Sequence, residues 1–262
     1  MRVVGVDFET TSLDINKARI IEIGAVLYNV QHGEWIREAS LSTLVYELGD
    51  DPLSPETVKV TGITDAQLMA EGKPLIPAIQ DLAAISAEAE LAVAHNAAYD
   101  GGVLQAVNKK RDLDVHAPMI NYLLSMQWIC SVMDLQSNRN FKCRTLSHLA
   151  IDRGIAVDPK DLHRAVNDVI LMGKVLTAAK ADPAEMLRYQ QSPWVFLAAI
   201  IPPPWEDGGK GKDAATKLGY SWQKARGTDG PEIPKTWVKR VKDCDVEDER
   251  KAAQFPVKII QV

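Results

Sequence analysis

Near the N-terminus the short apolar run Val3-Val4-Gly5-Val6 closes on Asp7-Phe8-Glu9. The run is a strand signal, and it commits the start of the chain to a sheet. Side chains two apart in a strand share a face, so Asp7 and Glu9 would stand side by side where the apolar run ends. Like charges that close call for a cation. The meaning of the pair depends on further acids arriving later in the chain with suitable neighbours.

Two more strand signals follow, at Ala18 to Asn29 and from Trp35 to Tyr46, so the first three segments read as an antiparallel meander. Ser54-Pro55-Glu56-Thr57 then starts a helix, with Ser as N-cap and Pro at the first helical position. A second helix is expected from about Ile76 to Ala87. A short buried strand, Leu91-Ala92-Val93-Ala94, follows, with a helix from about Tyr99 to Asn108. Trp128 to Met133 reads as a strand, Thr145 to Arg153 as a helix stopped by Gly154, and Ala165 to Ala181 as a long helix. Three strands followed by alternating helices and strands imply one mixed sheet with helices packed on it, an α/β fold.

Pro202-Pro203-Pro204 and Gly208-Gly209-Lys210-Gly211 oppose helix and strand alike, so residues 201–211 are read as a linker after a domain of residues 1–200. Residues 212–262 then form a small basic α+β module. It is expected to hold a helix over Asp213 to Leu218 and strands at Tyr220-Ser221-Trp222 and Lys235 to Val241.

The 262 residues suffice for a substantial buried core, and 46% apolar with 25% charged residues exclude extended disorder. The apolar stretch Val195 to Ile201 is too short to span a bilayer, and Asp7 interrupts any apolar signal region. The expectation is a cytoplasmic protein, in the host cytoplasm if phage-encoded, with no membrane partner. Cys130, Cys143 and Cys244 are scattered, with neither a Cys-x-x-Cys pair nor ligand-spaced His, so neither zinc nor a disulfide framework is suggested. Residues 1–204 carry 18 basic against 25 acidic side chains, whereas residues 208–242 carry nine against three. An acidic body can bind a phosphodiester if its carboxylates hold divalent ions, and the basic tail suits phosphate contacts.

Two later elements give the first pair its meaning. Asp100 follows the buried strand through His95-Asn96-Ala97-Ala98-Tyr99, at the start of a helix that it would either cap or aim at the sheet edge where Asp7 ends. His163-Arg164-Ala165-Val166-Asn167-Asp168 opens the last long helix, with Asp168 one turn in. In this order, Asp-x-Glu, His-Asn-x-x-x-Asp and His-Arg-Ala-x-x-Asp, the chain resembles the DEDD-type 3′-to-5′ exonucleases of the histidine subclass. The resemblance runs over about residues 2 to 180. Phe8-Glu9-Thr10-Thr11, Val60-Thr61-Gly62-Ile63-Thr64 and Trp128-Ile129-Cys130 look like further landmarks of that family, which more often has Phe where this chain has Tyr99.

The resemblance implies an RNase H-like mixed five-stranded sheet flanked by helices, and two-metal hydrolysis of phosphodiesters. Asp7, Glu9, Asp100 and Asp168 would hold two divalent cations, Mg²⁺ or Mn²⁺, which favour oxygen ligands. Asp7 would bridge the ions, Glu9 and Asp168 would complete the site of the attacking water, and Asp100 would hold the second ion. His163 would be the general base, imidazole being the side chain that exchanges a proton near neutral pH. Phe8, Thr10, Gly62, Thr64 and Asn96 are the candidate substrate contacts; Phe8 either stacks on a base or belongs to the core. Of the remaining histidines, His95 is expected to order the strand-helix turn, His148 lies in a helix, and His32 and His116 in loops. In the C-terminal module Trp205, Trp222 and Trp237 sit among lysines as stacking residues or as core.

The expected activity is release of nucleoside 5′-monophosphates from 3′ ends, of DNA rather than RNA, as single strands or 3′ termini. The alternatives are an RNA-trimming enzyme or oligoribonuclease, and a proofreading subunit acting mainly as partner of a polymerase or another replication or repair protein.

Overall fold

The computed structural model of the protein describes residues 1–47, 49, 51–110, 117–137, 141–160, 162–203, 206, 208, 210–223, 235–253 and 255–260. Two compact units divide the chain, Met1–Gln190 and Gln191–Val262.

The first unit is built on a five-stranded sheet. Its strands are β1 (Arg2–Thr10), β2 (Ile20–Gln31), β3 (Glu34–Leu44), β4 (Leu91–Ala94) and β5 (Trp128–Cys130), in the order β3-β2-β1-β4-β5. The β1-β2 and β2-β3 pairs are antiparallel, as the meander requires, while β4 joins β1 and β5 joins β4 in parallel. The helices are α1 (Pro55–Thr61), α2 (Asp65–Glu71), α3 (Leu75–Ser86), α4 (Ala97–Lys110), α5 (Ala117–Ser125), α6 (Leu146–Asp152), α7 (Ala165–Ala178) and α8 (Pro183–Gln191).

Strand alternation sorts the core into two layers. Val4, Val6 and Phe8 face α3, α4 and α5, packing with Ile79, Leu82, Val103, Leu104 and Ile120. Val3 takes the other face, with Tyr28, Val93, Val169, Met172 and Leu176, where α7 and α8 lie. Asp7 and Glu9 share this second face. Helix α7 comes close to the sheet there because β1 and β2 present glycines: a Cβ at Gly5 would stand 2.6 Å from Val169 Cγ1, and one at Gly24 would enter the backbone of Ala165 and Val166. The Tyr28 hydroxyl donates to the Val169 carbonyl at 2.8 Å and the Trp35 indole to that of Ala181 at 3.0 Å, fixing the helix near its start and the chain just beyond its end.

Some boundaries differ from the sequence-based expectation. The strand at Trp128 stops at Cys130 because the Asp134 carboxylate accepts the Cys130 N–H at 2.7 Å and turns the chain. Helices α2, α5 and α8 were not foreseen. Nor does the first domain run to residue 200. Trp194–Ala199 is β6, and it belongs to the second unit, between β8 (Thr236–Lys242) and β9 (Val257–Ile260). With β7 (Ser221–Gln223) these form an antiparallel sheet in the order β7-β8-β6-β9. The segment read as a linker therefore lies inside that unit, and α9 (Lys210–Lys217) begins within its glycines. An apolar strand needs neighbours, and the partners of β6 lie 38 to 64 residues later in the chain.

In the second unit Leu197, Ala199, Trp237 and Val241 form one sheet face. They pack with Ala215 of α9, with Tyr220, and with Val246 of α10 (Val246–Ala252). Trp237 is buried and Trp222 meets it edge-on with ring centroids 5.6 Å apart, so both are core residues and not an exposed stacking surface. Trp205, like His116, lies outside the described residues.

Candidate active site

The acids meet where β1, β4 and α7 converge. On β1, Asp7 is opposite Gly24 and Glu9 opposite Glu22 of β2. The N-terminus of α7 lies over the same face, seated on Gly24, and carries Asp168 in its first turn. Asp100 arrives from the first turn of α4, just beyond the end of β4, and is 2% exposed. Its carboxylate accepts the backbone N–H groups of Phe8 and of Asp100 itself. This is possible because β4 pairs with β1 only as far as Gly5, which leaves the Phe8 amide on that edge free for a side chain.

His163 holds a left-handed backbone conformation, φ 60°, unusual for a residue with a Cβ. Its N–H donates to Asp168 Oδ2 at 3.2 Å, so the carboxylate that opens the helix also pins the turn before it. The imidazole is exposed. One ligand atom each from Glu9, His163 and Asp168 lie within 4.8 Å of one another.

The residue that sequence reasoning missed is Glu22. It is completely buried, and its carboxylate accepts from Arg164 Nη2 at 2.9 Å, Arg164 Nε at 3.2 Å, the Ala165 N–H at 3.0 Å and Ser42 Oγ at 3.3 Å. Arg164 is the next residue after His163. A Glu inside Ile20-Ile21-Glu22-Ile23-Gly24 was the available signal, since an acid in an apolar strand needs a partner.

Crowding dominates the electrostatics. Burial, then the charges of Asp100, Glu9 and Asp168, hold Asp7 well above the ordinary carboxylate range. Burial, followed by Asp168 and Glu22, pushes Glu9 up to about 7 against the pull of Arg164. Asp100 is raised to about 7 by burial despite its two backbone hydrogen bonds. Asp168 is raised to about 6, burial again leading and His163 opposing. Four carboxylates that each resist ionising suit a bound divalent cation, which reverses the local field and turns repulsion into coordination. The donor set fits such an ion, since it is rich in carboxylate oxygen and has no thiolate.

Among the proposed substrate contacts, Phe8 is corrected. It is 5% exposed and sits in the core opposite Asp7, because strand alternation sends it to the other face. Thr10 is half-buried; its hydroxyl meets that of Tyr99, which also donates to the Ser12 carbonyl at 2.7 Å. The hydroxyl of Tyr99 thus ties α4 to the end of β1. Asn96 is exposed with φ 79°, and its carbonyl accepts from Tyr99 N–H at 2.8 Å. Gly62 caps α1 with φ 70°, and Thr64 caps α2 in a reciprocal box with Gln67. These contacts of Gly62 and Thr64 are local to the helix ends. His95 bridges Ser131 Oγ at 2.8 Å and the Arg144 carbonyl at 3.0 Å. A carbonyl only accepts, so Nε2 carries the proton, and burial lowers the pKa of the ring.

A family model described as exonuclease matches residues 4–176, from β1 to the last turn of α7. The chain belongs to the exonuclease family. The matched residues lie wholly in the first unit. Curated relatives are the PolC-type DNA polymerases III of Thermotoga petrophila and Thermotoga maritima, each 31% identical over 173 residues, which are 66% of this chain and 11% of theirs. The chain thus spans about a tenth of the length of those relatives. Among solved structures, a zinc-bound complex of E. coli exonuclease I with single-stranded DNA has a TM-score of 0.57 at 14% identity, covering 100% of this chain and 65% of that one. A 3′-exonuclease recognising the 3′ end of a histone mRNA stem-loop also scores 0.57, at 17% identity over 70% of this chain and 65% of its own. These likenesses establish the fold, a mixed five-stranded sheet flanked by helices as in RNase H-like exonucleases.

Proposed function

We propose that the protein is a 3′-to-5′ exonuclease that hydrolyses DNA phosphodiesters and releases nucleoside 5′-monophosphates. Asp7, Glu9, Asp100 and Asp168 would hold two divalent cations, Mg²⁺ or Mn²⁺. One observation carries the reading: acids from β1, α4 and α7 converge, and an exposed histidine, its backbone N–H bonded to Asp168, stands beside Glu9 and Asp168. A purely structural cluster has no use for four carboxylates that oppose one another's ionisation.

Cations held there would supply charge neutralisation for the incoming nucleophile and the departing 3′ oxygen. The chain's own residues do the rest. Glu9 and Asp168 orient the attacking water from β1 and α7. His163, exposed beside them, takes its proton as general base. The Glu22–Arg164 pair holds the turn that presents His163. Asp100, fixed by backbone N–H groups, keeps one carboxylate aimed at the β1 edge.

The test is digestion of 5′-labelled single-stranded DNA, duplex DNA and RNA with Mg²⁺, with Asp7→Asn as control. A ladder shortening from the 3′ end with mononucleotide product supports the reading. Equal cutting by the control sinks it, and a ladder on RNA alone replaces DNA as the substrate. The polymerase relatives make association with replication proteins a second proposal, tested by co-purification of the full chain with a replicative polymerase.

A further inference from the structure

The second unit carries chemistry that the hydrolytic site does not use. Its sheet has two faces, and α9, α10 and the apolar side chains Leu197, Ala199, Trp237 and Val241 account for one. On the other, strand alternation places Trp194, Phe196 and Ala198 of β6, Thr236, Val238, Arg240 and Lys242 of β8, and Lys258 and Ile260 of β9. The registers set Trp194 opposite Lys242, Phe196 opposite Arg240 and Ala198 opposite Lys258.

Trp194 is 46% exposed, a large aromatic surface for a residue in a strand. The Arg240 guanidinium lies 4.7 Å from its ring centre and the Lys242 ammonium 4.9 Å, both within cation–π range. Lys242 is itself buried and donates to the Ser192 carbonyl at 2.7 Å, so it supports the ring from within. Arg240 is exposed and makes no ion pair among the described residues. At the end of β6, an open cavity of about 390 Å³ is lined by residues 198–202 together with Thr236 and the exposed Lys258. The positions named on this face include no acid; Ala198, Val238 and Lys242 among them are buried, while Trp194, Arg240 and Lys258 are exposed. Five acids of the unit, Asp243, Asp245, Glu247, Asp248 and Glu249, lie instead on α10 and the turn before it, the helix that packs on the opposite face.

We infer that this face of the second sheet, with Trp194 as a stacking platform and Arg240 and Lys258 as phosphate contacts, binds single-stranded nucleic acid. An exposed ring held by cations offers a base a flat surface, and every base has a matching π-face, so such binding tolerates any sequence. Arg240 beside the ring, and Lys258 farther along the face, suit the phosphates of the same strand. The inference rests on the exonuclease reading for the identity of its ligand, since a strand being shortened at its 3′ end is the polyanion at hand. It also moves the aromatic binding residue from Trp222 and Trp237, which are core, to Trp194.

The test uses the full chain and a fluorescein-labelled 20-mer of oligothymidine in EDTA, followed by anisotropy across a salt series. Hydrolysis plays no part in that readout, so failure of the catalytic proposal and failure of this one are separable. Trp194→Ala is expected to weaken binding about tenfold, in the range of single-base stacking losses, while Trp194→Phe keeps most of it. The double variant Arg240→Gln/Lys258→Gln is expected to flatten the salt dependence by about 0.7 in log-log slope per lost contact. Thermal melting of each variant confirms folding, and the charge variant serves if Trp194→Ala fails that check. Wild-type affinity and slope in the folded variants, or no binding by the wild type, overturn the inference and leave the face to a protein partner.

Discussion

Arg164 reaches across from the start of α7 to Glu22 in the middle of the sheet, with Nη2 2.9 Å from Oε1 and the carboxylate wholly buried. The same carboxylate accepts the Ala165 N–H at 3.0 Å, so one acid of β2 fixes two consecutive residues that follow His163. Glu22 is therefore part of the scaffold that presents His163, the proposed general base.

Replacing Glu22 with Gln should lower stability by roughly 2 kcal/mol. This is less than the ~3–5 of a fully buried pair, because the Arg164 side chain is 40% exposed. Activity should fall further than stability accounts for, through displacement of His163. Denaturant titration alongside kcat on a labelled strand checks both, and unchanged kcat in a folded variant would remove Glu22 from the scaffold.

His163→Gln should reduce kcat by roughly 10²–10⁴-fold, the usual contribution of a general base, with little effect on substrate affinity. The loss should shrink as pH rises and hydroxide replaces the missing base. A pH-rate series on wild type and variant would show the gap closing, and parallel profiles would argue for a merely structural histidine.

The raised carboxylates set a pH dependence of stability with a definite sign. Glu9 and Asp100 reach about 7 in the folded protein and Asp168 about 6, all above their ordinary values near 4. Between about pH 4 and 7 the folded state therefore holds more protons than the unfolded one, and stability falls as pH rises through that window. In EDTA the melting temperature should be lower at pH 8 than at pH 5.5. Mg²⁺ or Mn²⁺ should restore it at pH 8, with proton release measurable by calorimetry in buffers of different ionisation enthalpy.

Asp7→Asn should abolish hydrolysis and yet raise the melting temperature of the metal-free protein, because it removes the charge pressed by Asp100, Glu9 and Asp168. The shift should be several degrees, given ~2–4 °C per kcal/mol at this size. Adding Mg²⁺ should narrow the difference, since the wild type then gains what the variant lacks. A metal-free variant that melts below the wild type would contradict the repulsion.

Tyr99→Phe removes the hydroxyl that bonds Thr10 and the Ser12 carbonyl. A cost of about 1 kcal/mol is expected, the net worth of an ordinary hydrogen bond, with catalysis largely kept. Comparing denaturation midpoints and turnover on one strand separates the two effects.

Much of the first unit was legible in the sequence because period-two and helical patterns, with caps such as Ser54 and stops such as Gly154, are local signals. The acids that the structure brings together could be picked out because they sit near element boundaries, beside Asn, Ala and His. What escaped depends on contacts distant in sequence. Glu22 gains its meaning only from Arg164, 142 residues later, and β6 only from β8 and β9. Phe8 was ambiguous for a different reason, since alternation fixes that it opposes Asp7 but not which layer each side meets.

Glycines at positions 5 and 24 let α7 settle onto β1 and β2. The separation across which Glu9 and Asp168 confront each other is thus governed by two missing methyl groups, neither of them on a proposed ligand. In the proposed metal centre, ion preference would therefore be a property of helix seating as much as of donor chemistry. A change of one carbon beneath α7 can retune it while every acid stays in place.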